Sequence, residues 1–199
     1  MNIGIDIDDT ISDTYEVSFN YAQKFTIEEL NKSGKIKKLT NLQTHMYCTD
    51  LHQWNEQEEK KFFDKYYKTI IEEVQPKKFA VETIKQLKQK GNTINLITAR
   101  FESEFFDIKE ETIKWLKSNN INYDNLYVNV GDKLTIAKKN NIDIFIDDSF
   151  KNCRSMADNG IKIYIMDSRV NGNLNSENII RVYSWPHLYQ EITKIKEVN

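Results

Sequence analysis

Short apolar runs and amphipathic stretches alternate along most of the chain. Ile3–Ile5, Thr93–Ile97, Leu126–Val130, Ile142–Ile146, Ile161–Met166 and Ile179–Tyr183 are brief and rich in β-branched residues. That is the signature of strands buried on both faces of a parallel sheet. Between them, Phe79–Lys90, Asp107–Ser118, Asp132–Asn140, Phe150–Asn159 and Pro186–Lys196 repeat apolar positions at helical spacing. Gly91 and Gly160 stand where two of these helices should stop. The alternation predicts an α/β fold, a Rossmann-like parallel sheet with helices on both faces. It is interrupted once, over residues 14–75. This segment has two helical stretches, Thr14 to Asn31 and Gln53 to Gln75, joined by the lysine-rich run 32–38, and Pro76 marks the return. The expected organisation is a main domain of residues 1–13 and 76–199 with a small, mainly helical insert, 14–75, after the first strand.

Composition narrows the function classes. Lysine and arginine total 28 against 30 acidic residues, a net charge of −2 over 199 residues. No basic stripe marks a nucleic-acid polymer as a partner. No apolar run approaches the roughly 20 residues that cross a bilayer, so no membrane partner is expected. The amino terminus runs almost at once into a core strand, leaving no room for a signal peptide. Cys48 and Cys153 are far apart and fit no metal spacing, as do His45, His52 and His187. Reduced thiols and a cytoplasmic location are the expectation.

The strand ends carry the chemistry. The first opens into Asp6-Ile7-Asp8-Asp9-Thr10. On an extended chain Asp6 and Asp8 fall on one side, about 7 Å apart. Like charges this close repel by roughly 4 kcal/mol per pair at an effective dielectric near 20. A hard cation such as Mg²⁺ would relieve that repulsion; the bland alternative is a solvated acidic turn. The strand 142–146 also ends in carboxylates, Asp147-Asp148, followed by Ser149, and the strand 93–97 ends in Thr98-Ala99-Arg100. Lys133 begins the helix before Asp147. A nucleophilic carboxylate, metal-holding carboxylates, a hydroxyl and an ammonium are what metal-assisted phosphoryl transfer requires.

In order and strand context, Asp6-x-Asp8-x-Thr10, Thr98, Lys133 and Asp147-Asp148 resemble the haloacid dehalogenase superfamily of phosphohydrolases. The pieces Ile97-Thr98-Ala99-Arg100 and Asn141–Asp148 are similar to its 5′(3′)-deoxyribonucleotidase-type group. The resemblance implies that Asp6 is the nucleophile, forming an aspartyl-phosphate, and that Asp8 is the general acid/base. It also implies Mg²⁺ held by Asp6, Asp147 and Asp148, with the Asp8 backbone carbonyl as a further ligand. Thr98 and Lys133 then bind the phosphoryl group. Alternatives stay open: a helix N-cap for Thr98, an exposed helix lysine for Lys133, a side-chain metal ligand for Asp8. Arg100 is a candidate for a phosphate or a cap carboxylate, with surface pairing as its alternative. Asp9 should point away from the chemistry and Thr10 should brace the turn by hydrogen bonding. Asp13 and Ser149 are candidates for supporting contacts.

The insert lies where this superfamily carries a cap, which implies a lid over the site. It is rich in aromatics, including Tyr47, and most should form its own core. Phe19, Trp54 and Phe63 are candidates to stack on a nucleobase, which needs only a π face. Trp54, Phe62 and Phe63 should not all share one core, since successive helical positions point about 100° apart. The expected activity is hydrolysis of a small phosphomonoester, a nucleoside monophosphate first and a sugar phosphate or other metabolite second. A signalling receiver domain fits poorly, because there the acidic pair precedes a phosphorylated middle strand. A catalytically silent phosphate-binding protein would keep the same residues.

Overall fold

The computed structural model describes residues 1–37, 51–169, 171–172 and 174–197. Expectations for His45, Tyr47 and Cys48 lie outside the described residues. Six strands, β1 (Asn2–Ile5), β2 (Thr93–Ile97), β3 (Asn125–Tyr127), β4 (Ile144–Asp147), β5 (Lys162–Met166) and β6 (Ile179–Val182), form one sheet. Their order is β3-β2-β1-β4-β5-β6, and every pairing is parallel. The helices are α1 (Thr14–Lys24), α2 (Glu56–Glu73), α3 (Ala80–Gln89), α4 (Ile108–Ser118), α5 (Lys133–Lys139), α6 (Phe150–Ala157) and α7 (Trp185–Glu197). A π-helical turn, Phe25–Glu29, continues α1. The first insert helix therefore reaches almost as far as its apolar spacing predicts, but changes winding at Phe25. Among the described helices none is long and apolar enough to cross a membrane.

Side chains alternate across the sheet, as the pleat requires. Ile3, Ile5, Ile94, Leu96, Ile144, Ile146, Tyr164 and Met166 join α3, α4 and α7 on one face. Ile97, Phe145, Ile163 and Ile165 join α5 and α6 on the other. Both faces are thus covered, and the strands read as continuous apolar runs. Gly4 is paired with Phe145 of β4. A Cβ at Gly4 would sit 2.5 Å from the Phe145 ring and 3.2 Å from Ile142 Cγ2. Gly4→Ala is therefore expected to overpack this face and cost about 1–3 kcal/mol, read as a lower urea midpoint with an unchanged slope; an unchanged midpoint would mean that the ring yields freely.

The chain leaves and rejoins the main body at one point. Ser12 bridges to Pro76, the Asp13 N–H donates to the Gln75 carbonyl (3.1 Å) and the Lys77 N–H donates to the Ile11 carbonyl (2.6 Å). Between these ends, Ala22, Phe25, Phe62, Tyr66 and Ile70 form a separate apolar cluster. Helix α2 serves two cores at once. Phe62, Tyr66 and Ile70 face the insert's cluster, while Tyr67, Ile71 and Val74 join the main core. The two stripes are each spaced about one helical turn and offset by one residue, so one helix buries two adjoining faces. The helix starts firmly, with Asn55 and Glu58 forming a reciprocal capping box.

Candidate active site

The strand order reverses between β1 and β4, and the crevice beyond their carboxyl ends is where open α/β sheets bind ligands. The Asp6 N–H donates to the Ile146 carbonyl (2.9 Å), carrying the β1–β4 pairing one residue past β1. Asp6 thereby meets the second acidic turn. Asp6, Asp147 and Asp148 are buried and each offers a carboxylate oxygen within 4.8 Å of the others. Lys133, at the first turn of α5, is buried with them. Its Nζ lies 2.6 Å from Asp6 Oδ1 and 2.9 Å from Asp147 Oδ2. Asp132 directs that helix start by accepting the N–H groups of Leu134 and Thr135. Asp147 also accepts the Ser149 N–H (2.7 Å) and Asn152 Nδ2 (3.1 Å).

One ammonium does not balance three buried carboxylates. Burial raises the Asp6 carboxyl, Asp147 and Asp8 add to the rise, and despite Lys133 it is pushed up to about 7. Asp148 is raised well above the carboxylate range by burial and by Asp147, Asp9 and Asp6. Burial works to lower Lys133, but Asp147 and Asp6 outweigh it, so the lysine is raised and stays charged. A set of hard oxygens short of positive charge suits a divalent cation, and Mg²⁺ fits the donor chemistry. The Asp148 backbone is tied down from a distance: Asn171 Nδ2 donates to its carbonyl (2.6 Å) and to that of Met166 (2.9 Å).

Asp8 faces a different set of groups. Strand β1 ends at Ile5, so the extended alternation expected through Asp8 does not continue, and its carboxylate is outside the acidic cluster. Arg100 donates to it through Nε (3.2 and 3.0 Å) and Nη2 (2.9 Å). Thr14 Oγ1 donates to Oδ1 at 2.7 Å, and Thr98 Oγ1 to Oδ2 at 3.4 Å. Burial would raise Asp8, but the Arg100 guanidinium and the hydrogen bonds of Arg100 and Thr14 hold it below the ordinary carboxylate value. Two aspartates two residues apart are therefore driven in opposite directions: without a cation the proton is favoured on Asp6 and the negative charge on Asp8.

Several smaller expectations are corrected. Thr98 does not cap the following helix; Asp107 does, accepting the N–H groups of Lys109 and Glu110. Thr98 Oγ1 instead accepts the Arg100 N–H (3.2 Å). Lys133 is not an exposed helix lysine, and Arg100 is buried rather than paired at the surface. Thr10 does not brace its turn through its side chain: the buried hydroxyl has no hydrogen-bond partner among the described residues, and the residue is held through its carbonyl, which accepts Trp185 Nε1 (3.2 Å). Asp9 adopts φ 58°, a left-handed conformation that an aspartate tolerates at a small cost. Its carboxylate turns to α1 and accepts the Tyr15 N–H (2.8 Å). Asp13 is exposed beside Lys77, whereas the Ser149 backbone holds Asp147. Thr14, Asn152 and Asn171 carry no motif signal. Only Thr14 had a local clue, as a polar residue opening a helix.

The insert's aromatics are more self-contained than their spacing suggests. Trp54 precedes α2; its ring packs on Phe25, His52 and Phe62, and its Nε1 donates to Thr26 Oγ1 (3.0 Å). Trp54, Phe62 and Phe63 do share one aromatic cluster, because Trp54 lies off the helix and Phe63 bridges both cores. Phe19 stacks on Tyr15 and lies against His52. Phe101, the residue after Arg100, was not a sequence candidate. Tyr67 stacks on it at 4.3 Å and 10°, Phe63 meets it edge-on, and it stays 43% exposed.

Comparison with known proteins gives the family. Residues 1–198 match the family model described as 5′ nucleotidase, deoxy (pyrimidine), cytosolic type C protein. The chain belongs to this nucleotidase family. It is a phosphomonoester hydrolase of the nucleotidase type. A nucleotidase of Clostridium acetobutylicum is 28% identical over 201 residues, covering 99% of this chain and 96% of its own. Two solved structures share the fold. One is a haloacid dehalogenase-superfamily hydrolase of Geobacter sulfurreducens, with TM-score 0.63, 14% identity and 98% of both chains covered. The other is a predicted phosphatase of Clostridium acetobutylicum, with TM-score 0.67, 12% identity, and 97% of this chain and 98% of that one covered.

Proposed function

We propose that the protein is a Mg²⁺-dependent nucleotidase that hydrolyses a nucleoside monophosphate through an aspartyl-phosphate on Asp6. One observation carries this. Asp6 is bonded to Lys133 within an acidic cluster, while Asp8, two residues on, is held separately by Arg100, Thr14 and Thr98. In the first step an Asp6 oxygen attacks phosphorus; the new P–O bond forms as the ester P–O bond breaks, and the leaving oxygen takes from Asp8 a proton that Asp8 has picked up from solvent as the negative phosphate binds beside it and raises it against Arg100. In the second, Asp8 takes a proton from water as that water attacks phosphorus, releasing phosphate and restoring the Asp6 carboxylate. Lys133 and Thr98 neutralise and orient phosphoryl oxygens. Asp6, Asp147 and Asp148 would hold Mg²⁺, with the Asp8 carbonyl as a further ligand by family resemblance. Bound there, Mg²⁺ supplies charge neutralisation between these carboxylates and an incoming phosphate. Residues 14–75 serve as the cap. Their paired ends at 11–13 and 75–77 and their own aromatic cluster support a lid that excludes water without disturbing the sheet. The test is phosphate release from nucleoside monophosphates and sugar phosphates with Mg²⁺ or chelator; preference for a sugar phosphate would replace the nucleotide.

A nucleobase would need an accessible ring beside the site, and Phe101, which follows Arg100 and is 43% exposed, is a candidate. Phe101→Ala is expected to cost about 1–3 kcal/mol in kcat/KM for a nucleoside monophosphate and much less for p-nitrophenyl phosphate, which has no base. Phe19→Ala and Phe63→Ala test the two remaining cap rings, with Trp54→Ala as the control for the insert's core. Equal losses on both substrates would remove base stacking from the proposal.

A further inference from the structure

We propose that Arg100 is a positioning residue for Asp8: its buried guanidinium sets the plane of the Asp8 carboxylate and leaves Oδ2 as the oxygen offered to the leaving group. The inference rests on the phosphatase reading above and assigns Arg100 a task other than gripping phosphate. The Arg100 side chain is 2% exposed, and each of its nitrogens already has an acceptor within the protein. Nε lies 3.2 and 3.0 Å from the two Asp8 oxygens, Nη2 lies 2.9 Å from Oδ1, and Nη1 lies 3.4 Å from Thr112 Oγ1. The guanidinium also lies over the Trp115 ring, 5.2 Å from its centroid.

Both supports come from α4, and both are themselves held. Thr112 Oγ1 donates to the Ile108 carbonyl (2.8 Å), and Trp115 Nε1 donates to the Val74 carbonyl (2.8 Å). A planar fork fixed from behind in this way imposes a direction on a carboxylate, which a lysine ammonium does not. An arginine meant to bind substrate would keep donors open to solvent. The two Asp8 oxygens are unequally occupied. Oδ1 accepts Thr14 Oγ1 at 2.7 Å, Arg100 Nη2 at 2.9 Å and Arg100 Nε at 3.2 Å. Among the described residues Oδ2 accepts only Arg100 Nε at 3.0 Å and Thr98 Oγ1 at the long distance of 3.4 Å. Oδ2 is the oxygen with room for the proton that the leaving group takes.

The test separates positioning from simple structural support. Arg100→Lys keeps the charge and loses the fork. In the Mg²⁺-loaded enzyme, kcat/KM reports steps through departure of the leaving group, so two esters are compared. For the nucleoside monophosphate hydrolysed fastest in the screen above, the leaving alkoxide needs a proton; a misplaced acid should cost about 10²-fold. For p-nitrophenyl phosphate the leaving group departs without one, and the loss should stay within about threefold. Equal losses on both, or none on either, would overturn the proposal. A second comparison holds even if the single variant folds poorly. Asp8→Asn with Arg100→Gln removes both charges and leaves neither buried alone. Adding Arg100→Gln to Asp8→Asn should change kcat/KM for the nucleotide by less than about threefold, because the two groups act as one unit. A further large drop would mean that Arg100 works independently of Asp8. A wild-type enzyme inert toward both esters would overturn the phosphatase reading and this inference together, whereas an active wild type with additive losses would overturn this inference alone.

Discussion

Asp6→Asn is expected to lower kcat/KM by at least about 10³-fold, a loss of roughly 4 kcal/mol in transition-state stabilisation, while raising the melting temperature of the metal-free protein at neutral to alkaline pH. The activity loss follows from removing the attacking charge with almost no change of shape. Uncatalysed phosphomonoester hydrolysis is so slow that nearly all the rate comes from the site. The stability gain follows from the surroundings of Asp6. Its carboxyl is buried among Asp147 and Asp8, and the rise to about 7 means that ionising it in the folded protein is unfavourable despite Lys133. The sign follows by linkage. A carboxyl raised from 3.8 to about 7 on folding contributes stability below pH 4, and that contribution is lost as pH rises through 7. Asparagine does not titrate, so the melting temperature of Asp6→Asn minus that of wild type should grow from pH 5 to pH 8. At about 2–4 °C per kcal/mol for a domain of this size, the difference is measurable. A lower melting temperature for Asp6→Asn at pH 8 would show that attraction to Lys133 outweighs burial and repulsion. Undiminished turnover in a pure preparation would move the nucleophile elsewhere.

Chelation is expected to abolish hydrolysis and readdition of Mg²⁺ to restore it. The same titration should raise the melting temperature, because a ligand that binds only the folded site stabilises by mass action, about 2.7 kcal/mol at a hundredfold excess over Kd. Here wild type and Asp6→Asn should exchange places. The carboxylate that weakens the metal-free protein is the one that Mg²⁺ recruits, so wild type should gain more. Asp6 and Asp148 both hold protons more tightly than free carboxyls, and those protons must leave before the oxygens can bind a cation. Apparent Mg²⁺ affinity should therefore strengthen from pH 6 to pH 8, with protons released to the buffer in calorimetry. An affinity independent of pH would place the ion away from Asp6 and Asp148, and full activity in chelator would remove the metal from the mechanism.

What the chain determined alone is local and periodic. Buried parallel strands read as apolar runs, so β2 is found at Thr93–Ile97 as expected, and the other strands lie within a few residues of their runs. Asp6, Thr98 and Asp147 were legible because parallel strands deliver the residues that follow them to one edge, whatever the intervening loops do. Lys133 was legible as a candidate ammonium opening the helix before Asp147; its approach to Asp6 and Asp147 depends on the crossover that lays α5 beside β4. Other contacts depend on elements far apart in sequence. Asn171 reaches the Asp148 carbonyl across 23 positions, and Thr14 reaches Asp8 only because the chain turns at Asp9. The opposed environments of Asp6 and Asp8 could not be read from a strict two-residue alternation, because β1 stops at Ile5. Nor could the aromatic packing of Phe101, since Tyr67 that stacks on it belongs to an insert helix 34 residues earlier. Sequence determines which groups the sheet edge receives. Tertiary packing decided which carboxylate meets the lysine and which the arginine, because burial and the nearest opposite charge set the state of each acid.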